Sequence, residues 1–383
     1  MLRYCTRCVM PDTKPDLTFD ERGVCNACQN FEKRASVDWP NRRKALQGLF
    51  DHFKSATKSK WNCIVPVSGG KDSTYQVLKV LEFGMKPLCV VATTCSLTEI
   101  GRRNIQNIRK LGVDLLEFSP DPLVRKRLNR IGLFEIGDIS WPEHVGIFTI
   151  PVQIAVEFSI PLLIWGENSQ NEYGGPEHAI GSTRLDRQWL EEFGGLLGLR
   201  VSDLVESFGF SEADLAPYIY PPSDEVERIG VTGIFLGSFL PWDGLSNMLV
   251  SQAHGLETFG RAIEGTMLDY ENLDNFQAGV HEYFKFLKFG FGRATDHACL
   301  HIRRGRISRS EGLEIVRKRD GRFPWSYMER PLVEILKEID VSLDDFVEVC
   351  DRFTNRDLFT SDSSGNLKRD SRGNLMKVNY DNL

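Results

Sequence analysis

The sequence predicts an α/β protein: a doubly wound parallel sheet with helices on both faces, a small cysteine-rich module before it, and a mainly helical region after it. Three observations carry this expectation. Short apolar runs at 62–67, 88–94, 113–118, 161–165 and 231–239 alternate with helix-patterned stretches. Such near-continuous apolar strands belong to parallel sheets covered on both faces. Four cysteines crowd the first thirty residues, and after about residue 240 the strand pattern gives way to helical spacing.

Composition sets the outer bounds. The 383 residues are 41% apolar and 26% charged, which excludes a wholly disordered chain and leaves ample material for a core. Forty-seven Lys and Arg against 53 Asp and Glu give a net charge of −6, the wrong sign for a protein that lives on nucleic-acid phosphates. No apolar run reaches the ~18 residues needed to span a bilayer. Met1–Cys5 holds no apolar stretch like a secretory signal, so a cytoplasmic location is the default expectation.

Cys5, Cys8, Cys25 and Cys28 form two C-x2-C pairs. This is zinc-ribbon spacing: each short turn brings two thiolates to one ion, and four complete a closed tetrahedral shell. A pair of disulfides or an iron–sulfur or redox site is the alternative. Residues 33–60 carry eight Lys or Arg and read as one basic helix. Cys63 and Cys89 fall in strand-like runs and read as core; Cys95, just past a strand, is placed to line a pocket. None of the cysteines sits in a G-x-C-x-G context, the setting expected of a glutaminase nucleophile.

After the first strand comes Ser68-Gly69-Gly70-Lys71-Asp72-Ser73. The glycines let backbone N–H groups approach an anion, and the following helix N-terminus adds free donors and an aligned dipole. Lys71 suits phosphate; Asp72 is sensible there as an Mg²⁺ ligand or facing away. A Walker A loop cannot be laid on this segment. Gly166-Glu167-Asn168 ends the fourth strand, on the same rim as the loop. There Glu167 suits either Mg²⁺ ligation or proton acceptance and Asn168 a bond to phosphate or ribose, with a simple loop anchor as the plain alternative. The spacing predicts helices over 97–111, 145–158 and 272–289. Ser308–Glu311 fits a capping box, and Ser342–Asp345 a similar start. Arg293, Asp296 and His297 occupy a Gly-rich joint between helices. Asp plus His suits proton transfer, His titrating near neutrality, or a structural Asp–His bond. Nine Lys or Arg between 303 and 330 suit an anionic substrate or a solvated face. His52, His254 and His281 read as ordinary helix residues, and His144 and His178 stay unassigned. The expected boundaries are 1–32, 33–255, 256–359 and a polar tail or small hairpin at 360–383. No internal repeat stands out.

The loop resembles the SGGKDS loop of the PP-loop ATP pyrophosphatases. With Cys5-Thr6-Arg7-Cys8-Val9-Met10-Pro11, Cys25-Asn26-Ala27-Cys28, Glu172-Tyr173-Gly174-Gly175 and Lys288–His297, the chain resembles the N-acetyl sugar amidotransferases of surface-polysaccharide and flagellin-glycan biosynthesis. The resemblance implies an adenine nucleotide alpha-hydrolase-like fold, with ATP held by Ser68, Gly69, Gly70, Lys71, Asp72, Ser73, Thr93, Thr94, Gly166 and Asn168. It implies substrate contacts from Glu172, Tyr173 and Arg293, and catalysis by Lys71, Asp72, Glu167, Asp296 and His297. The cofactors would be ATP, Mg²⁺ and structural Zn²⁺. The substrate would be a nucleotide-linked diacetamido uronic acid or a nonulosonic acid, whose acetamido group becomes acetamidino in lipopolysaccharide O-antigen or related glycans. A partner similar to the glutaminase and cyclase pair of histidine biosynthesis would supply ammonia. A PP-loop tRNA-thiolation enzyme is the alternative, for which Cys95 is the candidate thiol.

Overall fold

The computed structural model describes residues 2–167, 172–173, 184–185 (backbone only) and 198–378. Asn168, Gly174, Gly175 and His178 lie outside them. The N-terminal module ends in α1 (Asn26–Lys33), followed by α2 (Trp39–Ala56). The single basic helix expected over 33–60 is thus interrupted. The Asp38-Trp39-Pro40 sequence restarts it: Asp38 accepts a hydrogen bond from the Asn41 N–H, and proline fits only the first turn of a new helix.

The alternating segment runs β1 (Cys63–Pro66), α3 (Lys71–Glu82), β2 (Pro87–Ala92), α4 (Glu99–Arg109), β3 (Asp114–Phe118), α5 (Pro122–Ile131), α6 (Trp141–Glu157) and β4 (Leu162–Trp165). Then come β5 (Arg184–Leu185), α7 (Val201–Phe208), α8 (Glu212–Leu215), α9 (Ser223–Ile229), β6 (Thr232–Phe235) and α10 (Gly244–Ala253). The sheet order is β3-β2-β1-β4-β6-β5. Five strands are parallel, as expected; the unforeseen two-residue β5 pairs antiparallel with β6. The fifth run ends as strand at Phe235 rather than Phe239, because Leu236–Ser238 turns and the Gly237 N–H bonds the Gly166 carbonyl at 2.9 Å.

Alternation within the strands builds two cores. Cys63, Val65, Cys89, Val91, Leu162 and Ile164 pack with Leu46 and Phe50 of α2, Val77 and Val80 of α3, and Ile105 and Ile108 of α4. Ile64, Leu88, Val90 and Leu163 face the other way, against Ile150, Val152 and Ala155 of α6. Each such side chain contributes about 1.5–3 kcal/mol on burial. Cys63 and Cys89 are core residues, as their runs implied.

The C-terminal region holds α11 (Ala278–Phe289), α12 (Arg293–Arg303), α13 (Arg309–Arg319), the two-strand ribbon β7 (Ser326–Tyr327) and β8 (Arg330–Pro331), α14 (Leu332–Lys337) and α15 (Leu343–Phe353). Both expected capping boxes are present, at Ser308/Glu311 and Ser342/Asp345. The helix expected from Asn272 starts only at Ala278. Asn272 has φ +49°, and the next residues spend their backbone groups on the 96–98 segment: Phe276 N–H bonds Ser96 O, and Thr98 N–H bonds Asp274 O.

The polar tail is docked as hairpins. Asp-Ser-x-Gly-Asn-Leu occurs at 362–367 and again at 370–375, a repeat that sequence reading overlooked. In each copy the aspartate accepts N–H bonds two and four residues on, and the glycine takes positive φ. Asp20–Val24 in the N-terminal module builds the same turn. Lys368 N–H bonds Thr360 O, Met376 N–H bonds Lys368 O, and Thr360 N–H bonds Met376 O, closing a triangle. Phe359 and Leu375 anchor it in the C-terminal core. Leu375→Ala should therefore cost ~2–4 kcal/mol in chemical denaturation, where a detached tail would show no change.

Candidate active site

In an open parallel sheet, ligands bind beyond the strand carboxyl ends where the strand order reverses. Here that point lies between β1 and β4. Ser68–Ser73 follows β1 and Gly166-Glu167 follows β4, so the fold puts both motifs on one rim. Gly69 has φ +88°, and a Cβ there would stand 2.9 Å from the Ile105 nitrogen. Gly70 differs: it caps α3 in extended backbone, and a Cβ would meet only the Ser68 hydroxyl at 3.4 Å. Protein packing demands the first glycine; the second keeps backbone open to an approaching anion. The Ser73 and Thr74 hydroxyls turn back onto the Gly70 carbonyl, each at 3.0 Å, and the Ser68 hydroxyl accepts the Gly70 N–H. A cavity of ≈ 190 Å³ opens over the loop, lined by it and by Asn104, Tyr270, Glu271 and Arg293.

Lys71 is the centre of charge. Its side chain is 8% exposed, and its ammonium pairs with Asp72 at 2.6 Å and Glu271 at 2.7 Å. Burial alone would lower its pKa, but Asp72 and Glu271 outweigh it and hold the group firmly protonated. Asp72 also accepts from Asn247 of α10 at 2.8 Å, and the Ser251 hydroxyl bonds the Lys71 carbonyl at 2.8 Å. Burial opposes ionisation of Glu271, yet Lys71, His297 and Arg293 bring its carboxyl down to about 2. Glu271, Asn247 and Tyr270 carry no local motif, and only the folded chain brings them to Lys71.

Arg293 stands 3.4 Å from Glu271 and lines both this cavity and a second, of ≈ 340 Å³, walled by Glu282, Tyr283, Lys318, Arg319 and Trp325 among others. Its Nε is buried without a hydrogen-bond partner among the described residues. Asp296 and His297 share the first turns of α12 but not a bond. Asp296 pairs with Lys285, and His297 Nδ1 with the Thr266 hydroxyl at 2.6 Å. The expectation of a histidine titrating near neutrality is corrected: burial, with Arg293 adding to it, brings His297 down to about 3, so it is neutral at physiological pH.

Burial pushes the Glu167 carboxyl up to about 8, with the charges of Asp72 and Glu172 adding to the shift. Gly166 packs under Trp242, where a Cβ would lie 2.9 Å from the ring. Glu172 is buried, its carboxylate held by Arg34 and by Arg304 at 2.9 Å. These bonds make it an internal anchor of the rim. Tyr173 is half-buried; burial and then Glu167 raise its phenol. Thr93 and Thr94 follow β2: Arg125 bonds the Thr93 carbonyl at 2.6 Å, and the Thr94 hydroxyl reaches Asp274 O at 3.4 Å. Asn168 lies outside the described residues. Burial, with Glu143 beside it, pushes the Cys95 thiol up to about 11, which opposes its use as a thiolate.

The four N-terminal cysteines are buried together. Cys5 and Cys28 sulfurs stand 4.0 Å apart, Cys8 and Cys25 3.8 Å. A sulfur tetrahedron with bonds of about 2.3 Å to zinc has edges of about 3.8 Å, so the set fits Zn²⁺. The Cys8 and Cys25 N–H groups donate to the Cys5 sulfur at 3.4 and 3.3 Å. The module shares its core with Phe291, Ala298, Cys299 and Val316, and Arg309 bonds the Cys5 and Cys8 carbonyls.

Gly69→Ala should lose about 2–4 kcal/mol of stability, from left-handed strain plus overpacking. Gly70→Ala should keep its melting temperature yet weaken nucleotide binding in calorimetry. Stripping the four-cysteine metal with a chelator should lower the melting temperature and loosen α12 and α13, read as faster amide exchange there.

No helix among the described residues is long and apolar enough to cross a membrane. Comparison with curated proteins returns no match. Among solved structures, the chain is similar to an NMN synthetase from Francisella tularensis, with 12% identity, coverage of 57% of this chain and 94% of that one, and a TM-score of 0.29. It is also similar to an NH3-dependent NAD synthetase from Campylobacter jejuni subsp. jejuni NCTC 11168 in complex with the nitrate ion, with 8% identity, coverage of 57% and 97%, and a TM-score of 0.29. Residues 264–372 match the family model for the C-terminal domain of WbpG-like LPS biosynthesis proteins.

Proposed function

We propose that this chain is an ATP-dependent, AMP-forming amidotransferase that converts an acetamido group of a sugar into an acetamidino group during surface-glycan biosynthesis. The observation that carries the reading is the Ser68–Ser73 loop at the sheet's switch point, with buried Lys71 beneath a cavity that leads by way of Arg293 toward a cation-rimmed second one. The lipopolysaccharide link comes from the match over residues 264–372.

An amide oxygen is a poor leaving group. Its attack on the α-phosphorus, with breakage of the bond to the β-phosphate, frees pyrophosphate and leaves the oxygen carrying an adenylyl group, ready to depart as AMP. Ammonia then adds to the imidate carbon and AMP leaves. The residues' task is positioning and charge. The loop N–H groups and α3 N-terminus receive the phosphates, and Lys71 meets the negative charge that develops there. Asp72, whose carboxylate lies beside Lys71 at the start of α3, is the residue that would hold Mg²⁺, which would supply positive charge to the phosphates. In the amination step Glu167 is the candidate proton acceptor. His297, neutral, buried and bonded to Thr266, packs behind Glu271, its Nε2 3.9 Å from that carboxylate.

The second cavity suits an anionic acetamido sugar. Lys318 and Arg319 line it without an ion-pair partner among the described residues, and exposed Trp325 offers a flat apolar face. No cysteine has the glutaminase context, so we assign ammonia supply to a partner glutaminase, with the zinc ribbon as part of its docking surface. Efficient glutamine use by the purified chain alone would refute that assignment.

The test is incubation with ATP, Mg²⁺, ammonium and a panel of acetamido sugars, read by mass spectrometry. AMP, pyrophosphate and a product with NH in place of O are expected; ADP and orthophosphate would overturn the reading. Lys71→Ala should lower AMP formation by about 10²–10³-fold. At constant free ammonia the amination rate should climb as pH rises through about 8, because ionisation creates the Glu167 base. Glu167→Gln should remove that climb.

A further inference from the structure

Among the described residues, one further cluster outside this site and the four-cysteine group has metal-binding chemistry. Asp138 follows the left-handed Gly137 (φ +60°) in the turn before α6, and its carboxylate is 2% exposed. One oxygen lies 2.9 Å from His144 Nδ1 on the first turn of α6, the other 2.8 Å from His281 Nδ1 on the first turn of α11. The rings meet edge to face with centroids 4.6 Å apart. The three ligand atoms fall within 4.8 Å of one another. The Ser140 N–H donates to Asp138 Oδ1 at 3.0 Å and fixes its orientation.

Among the described residues no Lys or Arg pairs with Asp138. The neighbouring ammonium of Lys288 is spent on the Ile136 and Gly137 carbonyls, at 2.6 and 3.1 Å. A buried carboxylate needs a positive partner, and two protonated imidazoles 4.6 Å apart would repel each other. One divalent ion replacing the Nδ1 protons removes both problems. Bonds of about 2.1 Å to an oxygen and a nitrogen 2.8–2.9 Å apart make angles near a right angle, as in open coordination shells that also take water.

We propose that Asp138, His144 and His281 form a second metal site, distinct from the four-cysteine one, that takes a borderline divalent transition ion such as Zn²⁺. Two imidazoles and one carboxylate favour such ions over Mg²⁺. The ion ties the Asp138 turn and α6 to α11 and sits beside Glu282, which walls the ≈ 340 Å³ cavity. The site is independent of the reaction proposed above.

The test loads the metal-stripped full chain with Co²⁺. Two equivalents are expected: one with intense thiolate charge-transfer bands, one with only the weak visible bands of nitrogen and oxygen ligation. Asp138→Asn, His144→Gln and His281→Gln should each lose the weak set and keep the thiolate bands, which report an intact fold. A single equivalent in the unaltered chain, or weak bands that survive all three changes, overturns the proposal. Zinc-edge absorption on the unaltered protein decides the matter without variants: imidazole scattering supports the site, and sulfur scattering alone refutes it.

Discussion

The buried ion pair between Lys71 and Glu271 is the contact on which the candidate site depends. Lys71 belongs to the loop after β1, and Glu271 to the segment before α11, far along the chain. A charge this deep is tolerated only with its partners in place; removing one strands the other in a low-dielectric setting. The pair thus joins the sheet to the C-terminal region. Arg293 extends the same network toward the second cavity.

A second network supports the rim from below. Arg34 and Arg304 hold the Glu172 carboxylate, and Arg303 bonds its carbonyl. Arg303 ends α12 and Arg304 follows it, and the apolar side of that helix completes the cysteine module's core. Arg309, at the start of the next helix, grips the Cys5 and Cys8 carbonyls. A closed four-thiolate site has no position for substrate. Its reach toward the rim is mechanical, through α12.

The electrostatics sort the acidic groups into two states. Glu271, surrounded by Lys71, His297 and Arg293, is ionised at any working pH. Glu167, buried beside other carboxylates, is held protonated up to about 8. Neighbouring carboxyls whose environments pull them apart in this way are placed for different roles, one for fixed charge and one for proton exchange.

Much was legible in local sequence because the signals are local. Strand alternation, the glycine loop, the C-x2-C pairs and the two capping boxes each act within a few residues, so composition and spacing sufficed. The restart at Asp38-Trp39-Pro40 and the repeated Asp-Ser-x-Gly-Asn-Leu turns are local signals of the same kind. The protonation state of His297, the anchoring of Glu172 and the partners of Asp296 were not legible. A pKa or an ion pair depends on what the rest of the chain brings alongside, and Thr266, Lys285, Glu271 and Arg34 carry no mark of their destination. The chain's local chemistry determined which segments form strands, loops and thiolate knuckles. Only tertiary packing decided which buried charges face one another, because Coulomb and desolvation energies depend on distance in space and not on separation along the sequence.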